Sequence, residues 1–557
     1  MKWFAKKNAP WRFPGADYLG VFLLVSAIYG FVNASSSFLD PDSFYHVKMA
    51  ELLMQRGIVR NFTWLPFTTL AHAFADHHFL YHVILVPFIA FYGAFVGAKI
   101  ATVVLAAAAL TAFYGALKAY GSKLPFAFAM MLATSSAFMF RMNLTKTSAV
   151  SVTVLMLALI AIRRDSWRSL FFLSWVYVLM YGGWPLMGVL IGAFFVTRAV
   201  VDRLVDRHPL HSWGNAWFWR RLFALRQNAL ADFIAASEVR QATAVMAGLA
   251  CGVVINPYFP ANLRFYWEQI WQIAVLNYRD KIGVGAEWYP YPFPAFYSEN
   301  SVIFLCIAIC IVLLLTMIFW DDVVKKHVPK GDRSSLSSRV ALTMLAVFFL
   351  VMTMRSRRHV EYFAPFAMFA TALFYTSIDS HMDWAALGRK LRTLLPVAVR
   401  AKISFAKLAG VYVVVMLTFL CARNVVGTRD TFSGGIPWTR YAKAAAWTRA
   451  NVPANAIIVH SDWDEFPPLF YYDDTHRYIC GLDPTFLYRQ DPTRYWLWVN
   501  VTTGKVGNDV GEKVRDGLGS RYLLVDSRYD EFRKELERDP SIERVYHDDD
   551  ASVYVVR

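Results

Sequence analysis

The stretch Phe38-Leu39-Asp40-Pro41-Asp42-Ser43-Phe44-Tyr45-His46 decides how the chain is read. It follows residues 18–32, an apolar run that with its flanks is long enough to cross a bilayer. Lys2, Lys6, Lys7 and Arg12 precede that run, so the positive-inside rule places the N-terminus in the cytoplasm. Asp40 and Asp42 then emerge on the outer face, at the membrane boundary. Carboxylates beside lipid are costly without a partner, which makes both aspartates functional candidates. The plainer alternative is that Asp40 caps the helix running on through Lys48 and Leu53, since Asp is a favoured N-cap.

The totals agree with a membrane setting. The 557 residues are 57% hydrophobic and 16% aromatic, with a mean hydropathy of +0.35. Such a chain is expected to be an α-helical polytopic membrane protein with a soluble appendage and the lipid bilayer as partner. Its formal net charge of +16 is no nucleic-acid footprint, because the basic residues concentrate in loops between apolar runs, where they set topology. Cys251, Cys306, Cys310 and Cys421 fall in apolar spans and Cys480 stands by itself in the soluble part. These spacings build neither a disulfide framework nor a CxxC metal motif. The first span lacks a small-residue cleavage pattern and is expected to be retained.

Along the first outer loop, residues 35–78, a helix is expected over 47–57, followed by an irregular aromatic segment. Asp76-His77-His78 and His82 form a polar knot at the start of the next apolar run. His78 and His82 are four apart and share a helix face, a spacing that suits either metal ligation or, more commonly, interfacial hydrogen bonding. Lys118, Lys123 and the run Arg163-Arg164-Asp165-Ser166-Trp167-Arg168 belong on the inner side, leaving 141–147 outside. Residues 79–117 then make one net crossing, with the 79–92 half re-entrant or juxtamembrane.

Spans at 170–181 and 184–200 meet at Gly182-Gly183-Trp184-Pro185, an outward break. Residues 202–240 form a basic inner loop with Trp213, Trp217 and Trp219. A long aromatic, proline-rich outer loop covers 256–300 and carries Glu287. Further spans fall at 302–320, 340–353, 362–377 and 408–421, with Lys325, Lys326, Lys330 and the stretch 389–402 marking inner loops. About eleven crossings place the C-terminus outside, within an expected range of about 11–13 transmembrane helices. From 423 the composition becomes that of a soluble domain. Strand-like runs at 456–460, 521–525 and 552–556 alternate with helical or turn segments, which suggests a small α/β domain. The expected division is a membrane domain over 1–422 and an outer α/β domain over 423–557.

Three outward features carry chemistry. One is the Asp40/Asp42 pair. The second is Glu287 in Gly285-Ala286-Glu287-Trp288-Tyr289-Pro290. The third is Arg355-Ser356-Arg357-Arg358-His359, cationic on the outer side against the positive-inside trend. Guanidinium forks match phosphate oxygens, so a lipid-linked phosphate is one reason for arginines there; a headgroup anchor is the other. Carboxylates beside a cationic cradle suit displacement at a sugar carbon whose leaving group is a polyprenyl phosphate or pyrophosphate. A carboxylate would serve as general base or help hold a cation, and the arginines would stabilise the departing phosphate.

On these residues the chain resembles the GT-C superfamily of membrane glycosyltransferases, and most of all the catalytic subunit of oligosaccharyltransferase. Asp42-Ser43-Phe44-Tyr45-His46-Val47-Lys48-Met49 is similar to that family's first-loop motif, which would make Asp42 the catalytic aspartate with Asp40 in support. Tyr181-Gly182-Gly183-Trp184 resembles its Trp-Gly-Gly-Tyr stretch. Glu287 sits where the fifth outer loop carries a glutamate that contacts metal and acceptor. Arg357 or Arg358 resembles the arginine near the lipid phosphate. The resemblance implies a polyprenyl-linked sugar donor, an acceptor that is a protein or else a glycan or lipid, and a place in the inner membrane with the soluble domain periplasmic or extracellular. It also implies a divalent cation, Mg or Mn, on Asp42 and Glu287.

Two departures bear on those expectations. The family's second outer loop carries acidic metal ligands, whereas Arg141-Met142-Asn143-Leu144-Thr145-Lys146-Thr147 has none. Lys146 in that place is a candidate for donor phosphate, with Arg355, Arg357 and Arg358, and metal dependence is thereby in question. The family's Trp-Trp-Asp-Tyr-Gly is also absent. Ser461-Asp462-Trp463-Asp464-Glu465-Phe466-Pro467 is the nearest match, making Trp463, Asp464 and Glu465 acceptor candidates or else a core turn. Two rivals stand beside a transferase: a transporter or flippase for a lipid-linked glycan, and a noncatalytic assembly subunit. Transporters usually show paired repeats with broken helices near the midplane, and no repeat stands out.

Overall fold

A computed structural model of the protein describes residues 15–207, 237–325, 333–393 and 405–557. The basic residues ahead of the first span, Trp213, Trp217, Trp219, Lys326, Lys330 and residues 394–402 lie outside the described residues.

The first span is α1 (Ala16–Asn33). Helix α2 (Asp42–Arg56) follows and begins at Asp42, earlier than the sequence pattern indicates. Pro41 supplies a helix-compatible φ of −62° just ahead of it. The Asp42 N–H donates to Asp40 Oδ1 at 2.9 Å, so Asp40 satisfies one of the unpaired amides of the first turn.

Residues 79–119 divide into α3 (Phe79–Tyr92) and α4 (Ala94–Ala119), broken at Gly93. Gly93 adopts φ +77°, a backbone conformation that glycine enters without cost. The two helices fold tightly on one another: a Cβ on Gly97 would stand 2.3 Å from the Phe88 carbonyl oxygen. Helix α4 runs antiparallel to α1. Its Lys99 Nζ donates to the Asn33 and Ser35 carbonyls at 2.9 and 2.8 Å, while Lys118 pairs with Asp17 at the other end. Both ends of α3 therefore lie at the end of the bundle where α1 leads into Asp40. Of this hairpin, α4 is long and apolar enough to cross a membrane, whereas α3 is a shorter apolar helix.

Then come α5 (Pro125–Ala133), α6 (Ser136–Met142), α7 (Ser148–Arg163), α8 (Trp167–Met180) and α9 (Pro185–Arg207). They are followed by α10 (Ser237–Val254), α11 (Ser301–Phe319), α12 (Arg333–Arg355), α13 (Val360–His381) and α14 (Phe405–Ser433). Among the described residues five helices are long and apolar enough to cross a membrane: α1, α4, α11, the 336–355 part of α12 and the 410–433 part of α14. Shorter apolar helices join them at α3, α7, α8 and the first part of α9. The alanine-rich α4 has most of its apolar window buried among neighbours, as small residues permit close packing. The Leu-, Ile- and Val-rich α11 and α14 remain on the outside, where lipid would cover them. The chain is a multi-pass membrane protein.

Helix α14 runs through the expected boundary at 422/423 and on to Ser433, because its apolar pattern continues past Cys421 through Val425 and Val426. Beyond it, β2 (Ile436–Pro437) pairs antiparallel with β1 (Ser37–Phe38). The remaining strands are β3 (Ile457–His460), β4 (Arg477–Tyr478), β5 (Tyr522–Asp526), β6 (Ile542–His547) and β7 (Ala551–Val556). They form one sheet in the order β4-β3-β5-β7-β6. The pairs of β3 with β4 and with β5 are parallel, and β7 is antiparallel to both neighbours. Such a mixed sheet needs helical crossovers on its parallel side, which the segments after β3 and β4 supply.

This domain is fixed to the first loop. Asp474 accepts from Arg56 at 2.9 Å, and its carbonyl accepts from Trp64 Nε1 at 2.8 Å. Trp438 stacks on Phe44 with centroids 5.2 Å apart. The sheet domain thereby packs along α2, which begins at Asp42.

Candidate active site

Two cavities meet at the start of α2. The smaller, about 280 Å³, has His46, His77, His78, Gly182, Gly183 and Phe265 in its wall. The larger, about 650 Å³, has Asp40, Arg357, Thr428, Thr431, Trp463 and Asp464 in its wall. Both are bounded by the same charged residues: Asp42, Arg141, Lys146, Glu287, Arg358 and Asp483. The shared residues form a partition.

Each group in it arrives from a different element. The turn after α6 presents Lys146, whose Nζ lies 2.8 Å from Asp40 Oδ2 and 2.9 Å from Asp42 Oδ2. Asp40 therefore both caps α2 and receives the lysine. Near the end of α6, Arg141 Nη1 donates to Glu287 Oε2 at 2.7 Å. Its Nε and Nη2 both lie 2.8 Å from Glu361 Oε2 at the start of α13. Ser148 Oγ donates to the same carboxylate at 2.6 Å. Arg358 Nη1 reaches Glu287 Oε1 at 3.3 Å and its guanidinium lies 4.5 Å from the Trp288 ring centre. The Glu287 loop is tied down by Ser356 Oγ, which donates to the Glu287 carbonyl at 2.9 Å.

These cations act on the carboxyls unequally. Burial tends to raise Glu287, but Lys146, Arg358 and Arg141 outweigh it and hold it well below the usual glutamate range. Burial pushes Asp42 up from its ordinary value, with Lys146 opposing. Asp464 is pushed up to about 8 by burial and by the carboxylates of Asp462, Asp42 and Asp40. Asp483 rises to about 6, mainly through burial. The site thus holds ionised, cation-bound carboxylates beside carboxyls that bind protons more tightly. That separation is what acid–base chemistry requires.

The sequence candidates sort clearly. Asp42, Glu287, Lys146 and Arg358 face both cavities; Asp40, Arg357, Trp463 and Asp464 face the larger. Arg355 lines neither: its Nη2 donates to the Val275 carbonyl at 2.8 Å and its carbonyl accepts from Arg279 Nη1 at 2.6 Å, so it tethers the loop. Glu465 lines neither as well. It is buried, accepts from the Ser461 N–H at 2.8 Å, and closes a turn inside the sheet domain. Arg141 and Glu361, both central here, were not singled out by sequence reasoning. The available signal was their charge at the edge of apolar segments, where an ionisable group needs a partner.

A divalent cation on Asp42 and Glu287 does not fit these residues. Arg141 and Arg358 engage both oxygens of Glu287, and Lys146 engages Asp42 Oδ2. Among the described residues no group of three or more His, Cys, Asp or Glu side chains is arranged to hold a metal. His78 and His82 do not converge on a shared point either. His78 Nδ1 faces the Met180 carbonyl at 3.3 Å, whereas His82 is bound by His46 and Asp76. Gly182 packs against that cluster, and a Cβ there would stand 2.8 Å from the His77 ring.

The architecture around this partition is a fold shared with solved structures of an oligosaccharyltransferase and an arabinofuranosyltransferase. The chain is similar over nearly its whole length to the apo crystal structure of the Archaeoglobus fulgidus oligosaccharyltransferase. That match has 13% identity and a TM-score of 0.58, covering 97% of this chain and 72% of that one. It is also similar to the arabinofuranosyltransferase AftD from Mycobacteria, at 12% identity and a TM-score of 0.53, over 97% of this chain and 40% of that one. ArnT from Cupriavidus metallidurans matches at 16% identity and a TM-score of 0.47, over 97% and 98% of the two chains. At the level of sequence, no family model and no curated protein matches. At these identities the likeness is one of fold.

Proposed function

We propose that the chain is a membrane glycosyltransferase that takes a sugar or oligosaccharide from a polyprenyl phosphate or pyrophosphate carrier. It passes the sugar to a protein or glycan acceptor on the outer face of the inner membrane. The observation that carries this reading is the partition: one set of carboxylates and cations bounding two cavities, as a two-substrate displacement needs. The donor is assigned to the larger cavity. Thr428 and Thr431 of α14 open into it, and α14 is the most outward-facing apolar helix, a surface along which a polyprenyl tail can lie. Arg357 Nε, buried and without a hydrogen-bond partner among the described residues, is available to a phosphate oxygen there.

Lys146 supplies at this centre the positive charge that a bound cation would otherwise provide. It holds Asp42 in place, and with Arg357 and Arg358 it neutralises charge on the departing phosphate. The acceptor approaches from the smaller cavity and attacks the anomeric carbon at the partition; Asp42 lies on its path. The C–O bond to phosphate breaks with its electron pair retained by the phosphate oxygen. Trp463 and Asp464 cap the larger cavity from the sheet domain and set which sugar fits.

The test is turnover of radiolabelled lipid-linked sugars from host membranes by purified protein in lipid. Wild type is expected to free the label from lipid, and Asp42→Asn to leave it there. Equal turnover by both would sink the assignment of the partition.

A further inference from the structure

Behind the smaller cavity lies a second chain of polar groups that the transferase reading does not use. His82 Nδ1 is 2.6 Å from Asp76 Oδ2, and His82 Nε2 is 2.8 Å from His46 Nδ1. All three residues are more than nine-tenths buried: Asp76 is 6% exposed, His82 1% and His46 4%. No lysine or arginine pairs with Asp76 among the described residues; its other oxygen accepts from the His78 N–H at 3.0 Å. A buried carboxylate is costly unless bonded in this way.

With both rings neutral, one set of tautomers satisfies the two bonds. The carboxylate can only accept, so His82 carries its proton on Nδ1 and accepts on Nε2. His46 must then carry its proton on Nδ1. Its Nε2 is left with a free lone pair and has no hydrogen-bond partner among the described residues. His46 lines the smaller cavity, one helical turn after Asp42 on α2, so both side chains share a face. The two differ in availability. Asp42 is engaged by Lys146, whereas the His46 nitrogen is open.

Resting on the transferase reading, we propose that Asp76, His82 and His46 form a buried proton relay that makes His46 the general base for a hydroxyl-bearing acceptor in the smaller cavity. As the acceptor oxygen bonds to the anomeric carbon, its proton passes to His46 Nε2. The Nδ1 proton of His46 moves to His82 Nε2, so positive charge comes to rest on His82, against the Asp76 carboxylate. The phosphate leaves with the electron pair of the broken C–O bond. Only an acceptor that must lose a proton as it attacks needs such a base. His46 is catalytic in this scheme; His82 and Asp76 position and charge it, by the logic of a nucleophile–base–orienter triad.

Several groups set the proton affinity of His46. Burial, with His82, Lys146 and His77 around it, holds the ring well below the usual histidine range, so it enters the reaction neutral. Tyr45, His78 and Tyr81 rings pack on it, each with centroids within 5.6 Å. Asp76 acts on it through the hydrogen bonds of His82.

The experiment follows transfer of label from host polyprenyl-linked sugars to the host envelope fraction, using the full chain in lipid. His46→Ala is expected to lower kcat about 100-fold with the donor KM unchanged, and added imidazole to restore part of it. Asp76→Asn is expected to move the acid limb of the kcat–pH profile to lower pH, because the charge that favours the protonated relay is gone. A purely structural role moves neither readout. The relay is overturned if His46→Ala keeps half its turnover, or loses it only in step with its folded fraction and without response to imidazole. It is overturned too if the Asp76→Asn profile superimposes on wild type. A wild type that transfers no label removes the transferase reading, and the relay with it; an active wild type with unaffected variants removes only the relay.

Discussion

Two carboxylates in this molecule are each held by two arginines, and they do different things. Asp526, at the end of β5, is bound by Arg440 and Arg528 and by the Tyr441 hydroxyl. Glu287, in the long loop, is bound by Arg141 and Arg358. Both are held below the usual carboxylate range, Asp526 to about 2. The Asp526 side chain is fully buried, Arg440 is spent on Asp550 as well, and Arg528 is turned to the surface rather than to a cavity. Glu287 remains 25% exposed, and its arginines border two cavities. An ion pair with a depressed pKa marks function only where there is room for a substrate.

That contrast can be broken most severely at the partition. Asp42→Asn and Lys146→Gln should each cut turnover by about 10²–10³-fold or more, the range for removing a preorganised charge from a reacting centre. Initial rates at saturating donor check this. At the other cluster the loss should fall on stability. Asp526→Asn leaves Arg440 and Arg528 without their shared carboxylate and should cost about 2–3 kcal/mol, read as a lower melting temperature, while the folded fraction turns over normally. The sign with pH follows. A carboxylate whose folded pKa is about 2 stabilises above its ordinary value and loses that contribution as pH falls from about 4 to 2. Wild type should lose stability there faster than Asp526→Asn.

Smaller effects sharpen the division. Arg358→Lys removes a fork-shaped donor set from Glu287 and the donor phosphate, and should weaken donor binding about tenfold, measured by titration with a polyprenyl phosphate. Arg355→Ala, at a tether outside both cavities, should stay within about 0.5 kcal/mol in stability and within twofold in rate. Smallest of all should be the effect of EDTA, with turnover unchanged and no Mn²⁺ bound tightly enough to alter its EPR spectrum, because Lys146 occupies the carboxylates.

Much of this was legible in the sequence. Apolar run lengths pointed to the helices, and the apolar run at 79–117 divides at Gly93 into the short α3 and the longer α4. Asp40, Asp42, Glu287 and the outer arginines stood out as charges where charge is expensive. Their pairings did not. Arg141 and Glu361 are 220 residues apart, and nothing local in either segment encodes the other. Glu465 stood open between an acceptor contact and a core turn for the converse reason: the acidic run around Trp463 looks uniform along the chain, yet the turn sends Asp464 to the cavity and Glu465 into the core.

The most direct test of the partition as a reacting centre is the fate of label in sealed proteoliposomes loaded with radiolabelled lipid-linked sugars. The account predicts that wild type removes label from the lipid, with or without EDTA, and that Asp42→Asn does not. If wild type and Asp42→Asn both leave the label on lipid but carry it across the bilayer, the transferase reading is contradicted and a flippase takes its place.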